Sequence, residues 1–154
     1  MECQIRPARA DDAGAISRVI IAALRYSNAQ DYPPDVIEEV VKHFSPEKVT
    51  ELLQRRSVLV AMREDSVVAT VGLEGDVVRS LFVDPRHQFQ GVGRCLMAMI
   101  ESQARSEGVE VLRVPSSLTA EAFYRRLGYE VVREVMQGEE RTLVMQRHLG
   151  PPNP

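Results

Sequence analysis

The chain of 154 residues lacks the features that mark several large classes of protein. It has only two cysteines, Cys3 and Cys95, without a short pairing spacing, so neither a disulfide framework nor a zinc site is indicated. Its formal net charge of -3 offers no overall basic field for nucleic acid. No apolar run is long enough to span a bilayer, and the amino-terminal residues lack the apolar core of a signal peptide. These absences predict a soluble cytoplasmic protein with reduced thiols that binds neither nucleic acid nor a membrane.

The composition and length are those of one compact globular domain. Hydrophobic residues make up 44% of the chain and charged residues 27%. The sequence has no repeat, low-complexity segment or linker, and 154 residues are too few for two ordinary domains. We therefore predict one domain over residues 1–149, followed by a disordered tail, "GPPNP", over residues 150–154.

The first third of the chain has the apolar periodicity of helices. After a short strand over residues 2–7, six apolar residues at helical spacing predict an amphipathic helix: Ala13, Ile16, Val19, Ile20, Ala23 and Leu24. Asp11 or Asp12 is its predicted cap. The segment "YSNAQDYPP" breaks this helix, and a second helix follows with an apolar side made of Val36, Ile37, Val40, Val41 and Phe44. Ser45 and Pro46, a cap residue followed by a first-turn residue, predict one more helix start.

From Ser57 onward the pattern changes to that of strands. Three β-branched runs, "SVLVAMR", "SVVATVGL" and "DVVRSLFV", are separated by short turn signals, which predicts an antiparallel meander. A helix then begins at the glycine pair, with one apolar face made of Leu96, Met99, Ile100 and Ala104. The strand "VEVLRVP", a short helix ending at Gly128 and two last strands complete the chain. The predicted fold class is α/β (α+β), a mixed sheet covered by helices in the order β-α-α-β-β-β-α-β-α-β-β.

The sequence "QFQGVGRCLMAMI", residues 88–100, places two glycines at the start of a predicted helix. It is not the phosphate loop of a nucleotide triphosphatase, because no Gly-Lys-Ser/Thr follows. It is not a dinucleotide-binding fingerprint either, because Leu96 occupies the third glycine position. Glycines without Cβ atoms let an anion approach the unpaired N–H groups of a first helical turn, where this chain has Arg94 rather than an acidic residue. Two interpretations stay open: a phosphate-binding turn, and glycines that allow close packing of the helix on the sheet.

Two segments together resemble the GCN5-related N-acetyltransferase (GNAT) family. The segment "SLFVDPRHQFQGVGRCLM" is similar to the family's acetyl-CoA signature, in which Gln88, Gly91 and Gly93 match the pattern Gln/Arg-x-x-Gly-x-Gly/Ala. Further along the chain, "SLTAEAFYRRLGYE" resembles the family's second signature. The resemblance covers residues 5–148, is weakest over residues 26–56, and implies a mostly antiparallel central sheet of about seven strands flanked by helices.

The resemblance implies an enzyme that transfers an acetyl group from acetyl-CoA to a primary amine of a small molecule, by direct attack in a ternary complex. It also implies a loop that holds the pyrophosphate of coenzyme A, made of Gln88, Phe89, Gln90, Gly91, Val92, Gly93 and Arg94. The backbone of Leu81, Phe82 and Val83 is expected to meet the pantetheine arm. An N–H near Phe82 or Val83 is the expected donor to the carbonyl oxygen as it gains negative charge.

The proton transfers that the reaction needs are also assigned by resemblance. Tyr124 matches the family tyrosine that protonates the leaving thiolate, and a phenol is protonated at neutral pH. Ser117 lies where many relatives have an asparagine that touches the cofactor arm, and a helix-cap role explains it equally well. Several relatives have a glutamate base at the position of Val77. Here the nearest carboxylates are Glu74 and Asp76, of which Glu74 is the predicted base, and solvated turn residues are the competing interpretation.

Other assignments remain as alternatives. One is a non-catalytic acyl-CoA-binding or sensing module, and another is a protein or peptide N-acetyltransferase. Cys95 could carry an acyl group, although a small thiol packed in the helix is the commoner case. The acidic residues around Tyr32, namely Asp31, Asp35, Glu38 and Glu39, suggest a cationic acceptor, while an ordinary solvated helix face explains them too. Family members are often dimers, so the resemblance allows a homodimer.

Overall fold

A seven-stranded sheet forms the centre of the computed structural model, which describes residues 4–150. The strands are β1 Gln4–Pro7, β2 Ser57–Arg63, β3 Ser66–Glu74, β4 Val77–Val83, β5 Val111–Ser117, β6 Glu130–Gln137 and β7 Glu140–His148. Their order across the sheet is β1-β2-β3-β4-β5-β7-β6, and only β4 and β5 pair in parallel. The predicted mixed, mostly antiparallel sheet is confirmed. Cys3 and residues 151–154 of the predicted tail lie outside the described residues.

Helices cover both faces of this sheet. The α-helices of the described residues are α1 Ala13–Tyr26, α2 Pro34–Val41, α3 Pro46–Arg55, α4 Val92–Ser106 and α5 Glu121–Arg126. The first three form one buried apolar cluster with one face of the sheet, and α4 and α5 form a larger cluster with the other face. No helix in this part of the chain is long and apolar enough to cross a membrane.

The helix starts follow the sequence signals at one place and depart from them at another. Ser45 caps α3, because its Oγ accepts from the Lys48 amide at 3.3 Å, as predicted. Neither predicted aspartate caps α1 through its side chain. The Asp12 carboxylate instead accepts from both guanidinium nitrogens of Arg6, at 2.8 and 3.0 Å, and from the Arg9 amide at 2.7 Å. Asp12 therefore ties α1 to β1, and the Arg6 hydrogen bonds lower the pKa of its carboxyl.

The buried face of α4 departs from the predicted one at Met99, and it also includes Val92, Met97 and Glu101. Leu96, Ile100 and Ala104 are buried as expected, but Met99 is 47% exposed and Met97 is buried in its place. A helix advances about 100° per residue, so Met97 is rotated by only about 20° from the buried Ala104, whereas Met99 is rotated by about 140° from it. The inclusion of Met99 in the apolar face was wrong.

The sheet opens between its two parallel strands. β4 and β5 share one paired position, Val77 with Arg113, where the Arg113 amide donates to Asp76 O at 2.9 Å. Beyond this point they do not pair, although β4 continues to Val83 and β5 to Ser117. A gap lined by backbone therefore lies between the second half of β4 and the second half of β5, and the amino terminus of α4 follows β4 directly.

Candidate active site

The start of α4 presents backbone amides that find no acceptor among residues 4–150. Gly91 is the N-cap residue, and no side chain caps the helix. The first amide of this turn to find a carbonyl is that of Cys95, which donates to Gly91 O at 3.1 Å. No acidic residue lies in the first turn, so the positive end of the helix dipole is not neutralised. This arrangement suits an anion at the amides of residues 90–94.

The two glycines of this turn serve different purposes. Gly91 has a φ of +84°, a left-handed conformation that is costly for a residue with a Cβ, and its surroundings are open to 4 Å. A Cβ on Gly93 would lie 3.3 Å from Cζ of Phe123 on α5. Each of the two interpretations that the sequence leaves open therefore applies to one glycine: open approach at Gly91 and close packing at Gly93.

Side chains from neighbouring elements support the loop before α4. Gln88 Nε2 donates to Ser27 Oγ at 2.8 Å and to Val83 O at 3.4 Å, which links the loop to the end of α1 and the end of β4. Arg63, at the end of β2, donates to the side-chain oxygen of Gln90. Gln88 thus lies where a loop-supporting residue would be placed, as the resemblance implies.

Other side chains of this loop and first turn point outward. Phe89 has a φ of +63° and a fully exposed side chain. Arg94 is exposed as well, so its guanidinium can meet an anion at the helix start. Cys95 is also exposed, and the expectation that its thiol packs inside the helix interface was wrong.

The hydrogen-bond ladder decides which amides of β4 face the gap. The Asp84 amide donates to Val68 O at 2.8 Å, so the groups of Asp84 point toward β3. Along an antiparallel pair, every second residue points its backbone N–H and C=O at the partner strand. Phe82 lies two positions before Asp84, so its N–H and C=O also point toward β3. Leu81 and Val83 point their N–H and C=O groups the other way, into the gap. Of the two amides expected to stabilise the carbonyl oxygen, that of Val83 is directed toward the open side.

Tyr124, on the helix α5 that follows β5, lies at the centre of an aromatic cluster. It is 3% exposed, and its ring makes edge-to-face contacts with Phe123 at 5.2 Å and Tyr129 at 5.5 Å between centroids. Its hydroxyl has no hydrogen-bond partner within residues 4–150. Burial raises the pKa of the Tyr124 phenol, so the group stays protonated at neutral pH. Tyr124 contacts Phe123, and Phe123 is the residue that a Cβ on Gly93 would meet.

Comparison with known proteins identifies the family of this chain. The sequence profile of the acetyltransferase (GNAT) domain matches residues 28–146. The chain belongs to the GNAT acetyltransferase family. Members of this family transfer an acetyl group from acetyl-CoA, so the family resemblance seen in the two sequence signatures is confirmed.

Individual proteins are similar to this acetyltransferase in sequence or in fold. The chain is 26% identical over 132 residues to the uncharacterized N-acetyltransferase YafP of Escherichia coli (strain K12), covering 85% of this chain and 83% of that protein. A GCN5-related N-acetyltransferase from Rhodopseudomonas palustris superposes with a TM-score of 0.91 at 22% identity, over 96% of each chain. PaiA N-acetyltransferase from Thermoplasma acidophilum, solved in complex with coenzyme A, has a TM-score of 0.79 at 18% identity, over 96% of this chain and 99% of that one.

Ser117 of the acetyltransferase is engaged in local backbone contacts. Its Oγ accepts from the Ala120 amide at 3.2 Å, just before α5 begins. Its backbone oxygen accepts from Ser116 Oγ at 2.8 Å. The N-cap residue of α5 is Ala120, so the Ser117 contact belongs to the turn before the helix. It uses one acceptor lone pair of the Ser117 hydroxyl, and the O–H can still donate to a cofactor.

The carboxylates expected to act as a base lie at the far end of β4 from the phosphate-binding turn. Glu74 pairs with Val77 in the sheet, and its Oε1 lies 3.3 Å from Arg56 Nε and 3.7 Å from Arg79 Nε. Glu74 lies four positions after Thr70 in β3, and Thr70 pairs with Phe82. Four positions correspond to about 13 Å along a strand. Asp76 lies in the turn, 4.0 Å from Arg113 Nε. A proton could reach Glu74 from the gap only through intervening water.

Two of the four acidic residues around α2 pair with basic neighbours. Glu38 pairs with Arg25 at 2.8 Å, and Glu39 pairs with Lys42 at 3.1 Å. Asp31 accepts from Thr119 Oγ1 at 2.7 Å. These pairs favour the interpretation of a solvated helix face over a free acidic surface for a cationic acceptor.

Tyr32 has a larger structural part than its sequence position indicates. Its hydroxyl donates to Arg141 O at 2.7 Å and accepts from the Leu118 amide at 2.8 Å. The segment between α1 and α2 is thereby fastened across the ends of β5 and β7. The sequence marks Tyr32 only as one of two tyrosines in that segment, and nothing in the pattern predicts these partners.

Proposed function

We propose that this acetyltransferase acetylates a primary amine of a small molecule, by direct attack of the amine in a ternary complex with acetyl-CoA. The observation that carries the proposal is the row of unpartnered amides where α4 begins, next to a gap in the sheet. We further propose that residues 1–149 act as one acetyltransferase domain.

The chemistry of the residues around the gap suits acetyl-CoA. Coenzyme A supplies the thioester-activated acetyl group. The amides of residues 90–94, with the exposed Arg94, suit its diphosphate, because backbone N–H groups at a helix start bind anions. Leu81 and Val83 offer main-chain donors and acceptors to the arm that would lie in the gap, and the Val83 N–H is aimed to stabilise charge on the carbonyl oxygen.

Tyr124 is the proposed general acid. A buried phenol with a raised pKa holds its proton at neutral pH and can deliver it to a leaving thiolate within reach. The lack of a partner for its hydroxyl within the described residues leaves the proton available for this step. The aromatic neighbours Phe123 and Tyr129 fix the ring.

The general-base role of Glu74 stays a prediction. Amines have a pKa near 10, so the attacking amine must lose a proton before or during attack. The contacts of Glu74 with Arg56 and Arg79 support a water-mediated route at most. A pH–rate profile of Glu74→Gln tests the role: a base must be deprotonated to act, so its removal changes the acidic limb of the profile.

The test of the whole proposal is release of free thiol from acetyl-CoA across a panel of amines, polyamines, amino acids and peptides. Acetylation of a small amine supports the proposal. Turnover with peptides alone would instead support protein or peptide acetylation. The homodimer remains a prediction that size measurements in solution can test.

A second candidate function is a non-catalytic acyl-CoA sensor. Val77, where several relatives have a glutamate, and the ion-paired state of Glu74 favour it. Acetyl-CoA binding without thiol release over the entire panel would support the sensor and contradict the enzyme.

A further inference from the structure

A left-handed serine interrupts β4 beside the gap. Ser80 has a φ of +54°, a conformation that is costly for a residue with a Cβ. The register with β3 shifts at this point, because Gly72 faces Arg79 whereas Thr70 faces Phe82. Two residues of β4 therefore lie opposite a single residue of β3, which is a β-bulge.

This bulge reverses the alternation of side chains along β4. Val78 is buried in the cluster with α4, and an uninterrupted strand would place Ser80 and Phe82 on that same side. Instead Leu81 and Val83 pack against the α4 cluster, and Phe82 packs against the cluster of α1, α2 and α3. The backbone follows the same shift. The amides that face the gap are those of Leu81 and Val83, where a regular strand would present those of Ser80 and Phe82.

Arg56, in the connection from α3 to β2, holds the bulged residue. Its Nη1 donates to Ser80 Oγ at 3.1 Å, while its Nε lies 3.3 Å from Glu74 Oε1. Its side chain is only 13% exposed. The aliphatic part of the Arg56 side chain crosses β3 at Gly72. A Cβ on Gly72 would lie 3.5 Å from Arg56 Cδ. Desolvation lowers the pKa of the Arg56 guanidinium, and the charge of Glu74 acts against that effect.

We propose that Arg56 is a positioning residue, which fixes Ser80 in the bulge and so directs the Leu81 and Val83 amides into the gap. The inference rests on the proposed function, because it assigns those amides to the acyl arm. Glu74 is then the counterion that keeps Arg56 in place, a role that competes with the base role predicted for it, and the pH–rate profile of Glu74→Gln decides between the two. Burying a guanidinium without that partner would be costly.

The test is a set of substitutions at the two ends of the Arg56–Ser80 hydrogen bond, measured by kcat/KM for acetyl-CoA and by thermal unfolding. Arg56→Ala and Ser80→Ala each remove the bond while keeping a Cβ at position 80, and we expect each to lower kcat/KM by about tenfold. Ser80→Gly also removes the bond, but glycine adopts a positive φ freely, so we expect nearly wild-type activity. The decisive variant is Arg56→Ala combined with Ser80→Gly, which we expect to recover most of the activity lost in Arg56→Ala.

Matched variants separate positioning from general stability and from catalysis. Arg55→Ala removes an exposed arginine next to Arg56 and should leave kcat/KM unchanged. Glu74→Gln should lower kcat/KM without changing the shape of the pH–rate profile, whereas loss of the acidic limb would assign it as a base and contradict the counterion role. If Ser80→Gly does not improve Arg56→Ala, the positioning role is wrong.

The outcome also distinguishes this inference from the function on which it rests. A wild-type level of kcat/KM in folded Arg56→Ala, with acetyl-CoA binding still lost in Gly91→Asp, overturns the positioning role and leaves the function standing. A wild-type protein that does not bind acetyl-CoA overturns both.

Discussion

Gly93 of α4 lies directly against Phe123 of α5: a Cβ at Gly93 would come within 3.3 Å of the ring carbon Cζ. Phe123 in turn makes an edge-to-face contact with Tyr124. The helix that presents the phosphate-binding amides is thus coupled by one aromatic ring to the proposed general acid. A glycine in the first turn of α4 permits this close approach without displacing the ring.

Adding a methyl group at Gly93 should disturb this coupling. Gly93→Ala forces the Phe123 ring to move by a few tenths of an ångström, and Tyr124 moves with it. We expect kcat to fall by about tenfold, since small displacements of reacting groups are costly. Phe123→Leu in the same chain removes the ring atoms that the methyl group meets, so the double variant should have a higher kcat than Gly93→Ala alone. An equal or lower kcat in the double variant would refute the steric explanation.

Gly91 should matter for cofactor affinity. Gly91→Asp imposes a Cβ on a positive φ and brings a negative charge to amides that are meant for phosphate, so we expect acetyl-CoA affinity to fall by about a hundredfold. Gly108→Asp is the matched control, because Gly108 also has a φ of +84° and open surroundings but lies after the other end of α4. Calorimetric titration with acetyl-CoA should give the control a wild-type Kd. Comparable losses in both variants would mean that strain, not the phosphate site, is responsible.

Removal of the Tyr124 hydroxyl should affect chemistry more than binding. We expect Tyr124→Phe to lower kcat by about a hundredfold with little change in acetyl-CoA Kd. Tyr129→Phe is the control from the same aromatic cluster. Its hydroxyl donates to buried Glu101 at 2.7 Å, so its loss should destabilise the fold by about 1.5–3 kcal/mol while kcat stays close to wild type. A wild-type kcat in Tyr124→Phe would rule out the acid role.

The pH dependence of kcat should reflect the buried state of Tyr124. A general acid acts in its protonated form, so activity that depends on it is lost as the pH rises through its pKa. Burial raises this pKa above the ordinary value of about 10, and we expect no Tyr124-dependent loss of kcat between about pH 8 and 10. Comparison of wild type with Tyr124→Phe over this range checks it. A fall in the wild-type profile that the variant lacks would contradict the raised pKa of the buried phenol, although it would still mark Tyr124 as the acid.

The elements, and the start of α4 at the glycine pair, can be predicted from the sequence alone because their signals are local. Ser45 followed by Pro46 starts α3 as expected, and Gly128 ends the α5 segment with a φ of +97°. Gly91 and Gly93 directly precede the apolar pattern of α4 in the sequence. They can therefore be recognised without knowing any distant contact. Asp12 is the N-cap residue of α1, as predicted, but its carboxylate bonds no amide of that helix because a residue of another element, Arg6, offers a stronger charged partner.

The parts that the sequence does not predict depend on contacts between distant segments. The bulge at Ser80 has no local signal such as a glycine, and its partner Arg56 lies 24 positions earlier in the chain. Phe123, which explains Gly93, comes from α5. The position of Met99 was predicted wrongly because the orientation of α4 is set by the sheet and by the buried Glu101, which a count of apolar residues leaves out.

A crystal structure of the protein with acetyl-CoA tests the central claim most directly. We expect diphosphate oxygens within about 3 Å of the backbone nitrogens of Gly91 to Arg94. We also expect the acyl arm between β4 and β5, with its carbonyl oxygen near the Val83 amide. A complex in which the coenzyme lies elsewhere, or in which the amides of that turn have no phosphate oxygen in reach, would contradict it.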